Sequence, residues 1–158
     1  MNNQKPIIII ESVRSAENVG SIFRTADAAG FGEVYLVGYT PLPIDRFGRD
    51  RKDIAKVALG AEKTITWKQF DSIHTAIQSV RERGYMVVAI EQSLNARDYK
   101  TVTLDKPLAF IVGNELSGVS IGASEAADYI IEIPQKGKKE SLNVAVAFGI
   151  AVFRVLGI

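Results

Sequence analysis

The chain has 158 residues, enough for one domain with a sizeable core and scarcely enough for two. Its 19 Lys and Arg nearly balance its 18 Asp and Glu, a formal charge of +1 that excludes a uniformly basic coat or acidic tail. The absence of cysteine excludes disulfides, thiolate nucleophiles and Cys-ligated metals, and the single histidine, His74, excludes any site built on two imidazoles.

In chain order, Pro6 to Ile10 is a β-branched run, apolar on both faces, as in a parallel strand covered by helices on each side. Similar runs at 34–37, 86–90, 108–112 and 129–133 predict further strands. Helical patterns fall between them at 18–29, 51–59 and 71–83, each closed by a glycine (Gly30, Gly60, Gly84). Strand and helix alternate, so the expected fold is α/β with a mostly parallel sheet and helices on both faces. Residues 38–50, with two prolines and two glycines, read as a long loop, and such loops are usually functional or mobile. The last helix, 141 to about 156, is apolar nearly all round and must be buried on several sides or sit in an interface. No stretch approaches the roughly 20 apolar residues of a membrane span, and no signal-peptide pattern opens the chain, so a cytoplasmic protein is expected.

Three segments carry polar residues that this framework does not require. The first is Asn18-Val-Gly-Ser-Ile-Phe-Arg24, at the start of the first helix. Asn18 reads as a helix cap, and Arg24 either as the partner of Asp27 or, beside Gly20 on one face, as a planar fork for phosphate. The second, Gly113-Asn-Glu-Leu-Ser-Gly118-Val-Ser120, ends a buried strand, where open α/β sheets bind ligands. Its spacing approaches a triphosphate-binding loop, but Val119 stands where that chemistry requires lysine, so a nucleoside triphosphatase is rejected. Glu115 is left as a carboxylate in a strand-end turn. The third joins the last strand to the last helix, Ile133-Pro-Gln-Lys-Gly-Lys-Lys-Glu-Ser141-Leu-Asn143. Ser141 reads as a helix cap, and Asn143 as a buried amide in need of partners. His74 receives no role, and Trp67 and Phe70 read as core.

Together and in this order, the segments resemble the three motifs of the SpoU/TrmH family of SPOUT-class RNA 2′-O-ribose methyltransferases. Asn18, Gly20, Ile22, Arg24 and Gly30 match the first motif; Gly113, Asn114, Glu115, Gly118 and Val119 match the second. Ile133, Pro134, Gly137, Ser141, Leu142, Asn143 and Val144 match the third, with Ala145 where many members carry serine. The resemblance implies a parallel α/β sheet with a deep C-terminal trefoil knot, formed by residues 1–158 as one domain with no RNA-binding extension. It implies S-adenosylmethionine as cofactor, contacted by Gly113, Ile133 and Leu142, with the loop from Glu91 completing the pocket and no metal. It implies Arg24, Glu115, Ser141 and Asn143 as catalytic residues, with Asn18, Gly20 and Gly118 supporting them. On the resemblance, Arg24 is either a base or a grip on an RNA phosphate that stabilises the developing alkoxide, Glu115 and Asn143 orient Arg24 and the ribose, and Ser141 fixes its loop. It also implies a homodimer in which Arg24 serves the facing subunit, acting on tRNA or rRNA. The RNA would lie on a basic surface at Arg46, Arg49, Arg51, Lys52 and Lys56, extended by Lys136, Lys138 and Lys139. Two other readings compete: a non-catalytic RNA-binding protein that keeps the knotted fold, and a flavodoxin-like nucleotide module, which the missing phosphate signatures disfavour.

Overall fold

A computed structural model describes residues 3–158. Seven strands form one sheet, β1 (Ile7–Glu11), β2 (Glu33–Val37), β3 (Thr66–Phe70), β4 (Met86–Ile90), β5 (Arg97–Asp98), β6 (Leu108–Val112) and β7 (Tyr129–Glu132). Their spatial order is β3-β2-β1-β6-β4-β7-β5, and every pairing is parallel. The central strands β1 and β6 are buried along their whole length, which is why they read as unbroken apolar runs.

Six helices cover the two faces. Ile8 and Ile10 of β1 pack with α1 (Ala16–Ala28), α2 (Lys52–Ala58), α3 (Ala61–Thr64) and α6 (Val144–Leu156). Ile7 and Ile9 point the opposite way, into a second cluster with α4 (Ile73–Glu82) and α5 (Ile121–Ala126). Successive residues of one strand thus seed both cores. Among the described residues no helix is long and apolar enough to cross a membrane.

Several boundaries differ from the sequence reading. Helix α1 starts at Ala16, not Asn18: Ser15 is its cap and accepts from the Asn18 amide. Helix α6 starts after Asn143, not at Ser141, because the Asn143 side chain accepts from the Ala145 and Val146 amides. Helix α2 ends on Leu59, which itself adopts the left-handed conformation ahead of Gly60. Strands β3 and β5 and helices α3 and α5 leave no clear pattern in the sequence. Edge strand β3 carries Lys68 and Gln69 between half-buried Trp67 and Phe70, and the other three elements are too short for periodicity to register.

A glycine at position 20 admits the close approach of another backbone or of a ligand, and the structure shows the first. Gly20 is buried against α2, and a Cβ there would sit 2.8 Å from the Ile54 carbonyl oxygen and 3.0 Å from the Val57 Cβ. Helix–helix approach, rather than room for a ligand, therefore requires the glycine. Gly20→Ala gains up to about 1 kcal/mol of helix propensity, whereas forcing a methyl against α2 backbone costs about 1–3 kcal/mol. Net destabilisation in urea unfolding is the expected outcome, with Gly137→Ala, where a Cβ meets nothing within 4 Å, as the milder control.

Candidate active site

The carboxyl ends of β4, β6 and β7 open into a cavity of about 510 Å³, a size that suits a small ligand. Its walls come from three stretches: 90–93 after β4, 112–119 after β6, and the connection from β7 to α6. The loop after Ile90, beginning at Glu91, is part of the wall. Two glycines make the middle stretch possible. A side chain at Gly113 would collide with the backbone of Gly118, and Gly118 has a φ of +72° over the Glu91 carboxylate. Glu91 fixes that approach by accepting from the Val119 amide at 2.7 Å and the Gln92 amide at 2.8 Å.

The turn itself is tied from within. The Asn114 side chain is buried, accepts from the Leu116 and Ser117 amides at 2.9 and 3.0 Å, and donates to the Ser12 carbonyl and the Tyr39 hydroxyl. Reciprocal backbone bonds between Asn114 and Gly118 close the turn. Asn114 belongs to the second motif, and its sequence position alone gives it no partner. Only the fold brings Ser12 and Tyr39 to it.

Glu115 leaves this turn and reaches α1. It accepts from the amides of Arg14 and Ser15 at 3.0 and 2.9 Å and from the Asn18 side chain at 3.1 Å. Asn18 in turn accepts from the Asn143 side chain at 3.0 Å. One hydrogen-bonded chain thus joins all three motifs through Glu115, Asn18 and Asn143. Asn143 is exposed rather than buried, yet its amide is fully engaged, as α6 cap on one side and Asn18 donor on the other. Burial pushes the Glu115 carboxyl up, but the amide and side-chain donors outweigh it and hold it below its ordinary value.

The cavity wall includes Gly113, Glu115, Gly118, Ile133, Ser141, Leu142 and Asn143. Arg24, Asn18 and Gly20 are not part of it. Arg24 is exposed on α1 and makes no hydrogen bond or ion pair among the described residues, so the pairing with Asp27 does not form. Asp27 instead accepts from the Thr64 hydroxyl. Glu115 and Asn143 orient Asn18 and the start of α1 within this chain, not Arg24. Arg24 precedes Thr25, whose methyl faces Gly149 of α6 closely enough that a Cβ there would meet it in ordinary contact. Along α6 and its approach, Leu142, Val146 and Ile150 follow at intervals of four, a single stripe that stays 37%, 49% and 39% exposed.

The cavity lining holds three carboxylates, from Glu91, Glu115 and Glu132, and no lysine, arginine or histidine. Its field favours a cation and disfavours phosphate. Among the described residues no cluster of acidic side chains and histidine is arranged to hold a metal ion. The basic surface is less free than the sequence suggested. Arg49 is paired with Asp45 at 2.8 Å and Arg51 with Asp53 at 2.6 Å, while Asp50 pairs with Lys63. Arg46, Lys52 and Lys56 have no acidic partner among the described residues, and Lys136, Lys138 and Lys139 are exposed.

The SpoU rRNA methylase family model matches residues 5–153. The chain belongs to this family. A TrmH family tRNA/rRNA methyltransferase of Staphylococcus haemolyticus, so named provisionally, is 32% identical over 149 residues, covering 94% of this chain and 57% of its own length. Its Bacillus subtilis counterpart YacO is 30% identical over 154 residues, 98% of this chain and 59% of its own. The chain therefore spans a little over half the length of these relatives. Among solved structures, an AdoMet-bound rRNA methyltransferase from Sinorhizobium meliloti superposes with a TM-score of 0.86 at 30% identity, over 98% of this chain and 57% of that one. A TrmH/SpoU tRNA-modifying enzyme of A. aeolicus gives 0.82 at 29% identity, over 96% and 74%.

Because Glu115 is held below its ordinary value of 4.5, it stabilises the fold above that value and the contribution disappears as pH falls through its lowered one. Glu115→Gln should therefore lower the melting temperature at pH 7 and narrow its gap to the wild type as the pH is taken from 5 to about 3. Parallel melting curves across that window check the sign.

Proposed function

We propose that the chain is the catalytic domain of an S-adenosylmethionine-dependent methyltransferase acting on a ribose 2′-hydroxyl of tRNA or rRNA in the cytoplasm. The observation that carries this reading is the cavity itself, roofed by the second motif, floored by the third, and lined by carboxylates without a single base. S-adenosylmethionine is a cation at its sulfonium and amino groups, and the residues present suit it. Ile133, Leu142, Val144 and Ala147 offer apolar surface for an adenine, Gly113 permits close backbone approach, and Glu91 and Glu132 complement positive charge. When bound, the cofactor supplies a methyl group already activated for attack by an oxygen nucleophile.

What the chain must add is orientation, with the proton of the 2′-hydroxyl passing to solvent water. Glu115 is poorly placed to accept it, since three donors already occupy its oxygens. It acts as a positioning residue that fixes the turn 113–118 against α1. Asn143, braced by Asn18, fixes the start of α6 beside the cavity, and Ser141 and Leu142 close its floor. The guanidinium of Arg24 keeps its protons in proteins, so its role is to grip the RNA phosphate and stabilise the developing alkoxide.

Arg24 does not line the cavity of its own chain, and a facing subunit would bring one to it. The apolar stripe Leu142, Val146 and Ile150, next to the α1–α6 seam where Arg24 stands, supports a homodimer whose facing cavity receives Arg24. The placement of β7 between β4 and β5, with the chain then returning to α6 against α1, fits a C-terminal segment threaded as a trefoil knot.

Calorimetry with S-adenosylmethionine, followed by methylation of bulk tRNA and rRNA and digestion to nucleosides, tests the reading. Saturable cofactor binding and 2′-O-methyl nucleosides are expected; methyl groups on the bases alone would overturn the ribose assignment. Light scattering should give about twice the chain mass of 17.2 kDa.

Two variants separate the roles. Arg24→Ala should keep cofactor affinity and lose methyl transfer, and co-expression with Gly113→Val should restore transfer, because the mixed dimer contains one site free of both changes. No recovery in a verified mixed dimer would place Arg24 in the cavity of its own chain. Asn143→Ser keeps an oxygen for the α6 cap but loses the bond to Asn18. It should melt near the wild type and methylate at least about tenfold more slowly in single turnover with saturating cofactor.

A further inference from the structure

The loop from β2 to α2 ends in a tip whose rigidity is unexplained by packing. Ile44 and Asp50 form an antiparallel bridge, the Asp45 amide donates to the Arg49 carbonyl at 2.8 Å, and the Arg51 amide donates to the Pro43 carbonyl at 2.9 Å. Inside this small hairpin the Asp45 carboxylate accepts from the amides of Phe47 and Arg49, at 2.8 and 2.9 Å, and from Nε of Arg49 at 2.8 Å. Gly48 makes the reversal with a φ of +77°.

The tip holds up Phe47, which is 67% exposed. A lone exposed apolar side chain is ordinary. What sets this one apart is its company: the guanidinium carbons of Arg46 and Arg49 lie 4.8 and 5.0 Å from the ring centroid. Asp45 neutralises Arg49 and aims it at the ring, whereas Arg46 has no acidic partner among the described residues. The result is one exposed aromatic ring with two guanidinium groups close to it, of which Arg46 has no acidic partner among the described residues.

We infer that the Arg46–Phe47–Arg49 tip is a stacking platform for an unpaired nucleobase of the RNA, with Arg46 on the adjoining phosphate. The inference rests on the RNA methyltransferase reading and adds the form of RNA it selects. Bases stack on aromatic rings and on guanidinium planes alike, and every base has a face to offer, so the platform is tolerant of sequence. It does require a base that is free to leave its neighbours, so it selects single-stranded or looped RNA over an uninterrupted duplex. Because the hairpin is already fixed by its own hydrogen bonds, little ordering is lost on binding.

The test is fluorescence anisotropy of the full chain with a labelled, mixed-sequence single-stranded oligoribonucleotide and with a blunt RNA duplex, over a range of salt. Phe47→Ala should weaken single-strand binding about tenfold, leave the slope of log K against log salt unchanged, and leave duplex binding unchanged. Phe47→Trp should bind at least as tightly as the wild type. Arg46→Ala should weaken both RNAs and reduce the single-strand salt slope by about 0.7. In methylation of bulk RNA, Phe47→Ala should raise KM with little change in kcat, and cofactor affinity should stay as it was. Wild-type affinity of Phe47→Ala for the single strand, equal losses on strand and duplex, or a halved mass in light scattering would each overturn the platform alone. A wild-type chain that binds neither RNA would overturn the RNA reading and the platform with it.

Discussion

Three side chains set far apart in sequence, Glu115, Asn18 and Asn143, form the contact on which the site depends. The cavity floor and roof are loops, and a loop holds shape only if its polar groups have fixed partners. Here the roof is tied to α1 through Glu115, and the start of α6 is tied to the same helix through Asn18. Helix α1 thus acts as the reference against which both loops are set. Since Glu115 also satisfies the free amides of Arg14 and Ser15 ahead of that helix, one carboxylate completes a helix entry and positions a ligand cavity at once.

The sheet makes this possible by bringing β4, β6 and β7 side by side although β5 and α5 intervene in sequence. Parallel strands place all their carboxyl ends on one edge, so the loops that follow them meet there without further design. The two-sided burial of β1 and β6 gives that edge a rigid base. Glycine acts at the points of closest approach: Gly20 between helices, Gly113 and Gly118 between loops.

Electrostatics divides the molecule into two regions of opposite preference. The cavity lining is acidic, as suits a cationic methyl donor, while free positive charge lies outside it at Arg24, Arg46 and Lys52. An acidic lining disfavours phosphate inside the cavity, while the cations outside it favour an anion there. A near-zero net charge conceals this arrangement, because it sums two local fields that act on different ligands.

The sequence by itself determined the fold class, the central strands and the three motifs, since buried parallel strands and glycine-closed helices leave periodic signals that need no partner to be read. It also pointed to the turn 113–118 at the end of β6, while the other stretches of the cavity wall followed from the family resemblance alone. It could not assign the caps, where Ser15 and Asn143 take the places expected of Asn18 and Ser141, because the choice among neighbouring polar residues is made by where the chain enters from. Edge strand β3 escaped notice because one neighbour and partial burial leave it with little apolar signal. Only the tertiary structure decided that Gly20 serves a helix contact, that Asp45 and Asp53 occupy Arg49 and Arg51, and that Glu115 meets Asn18. Each of these is a pairing across turns or between distant segments, and a hydrogen bond or ion pair exists only where the fold brings both partners within about 3 Å.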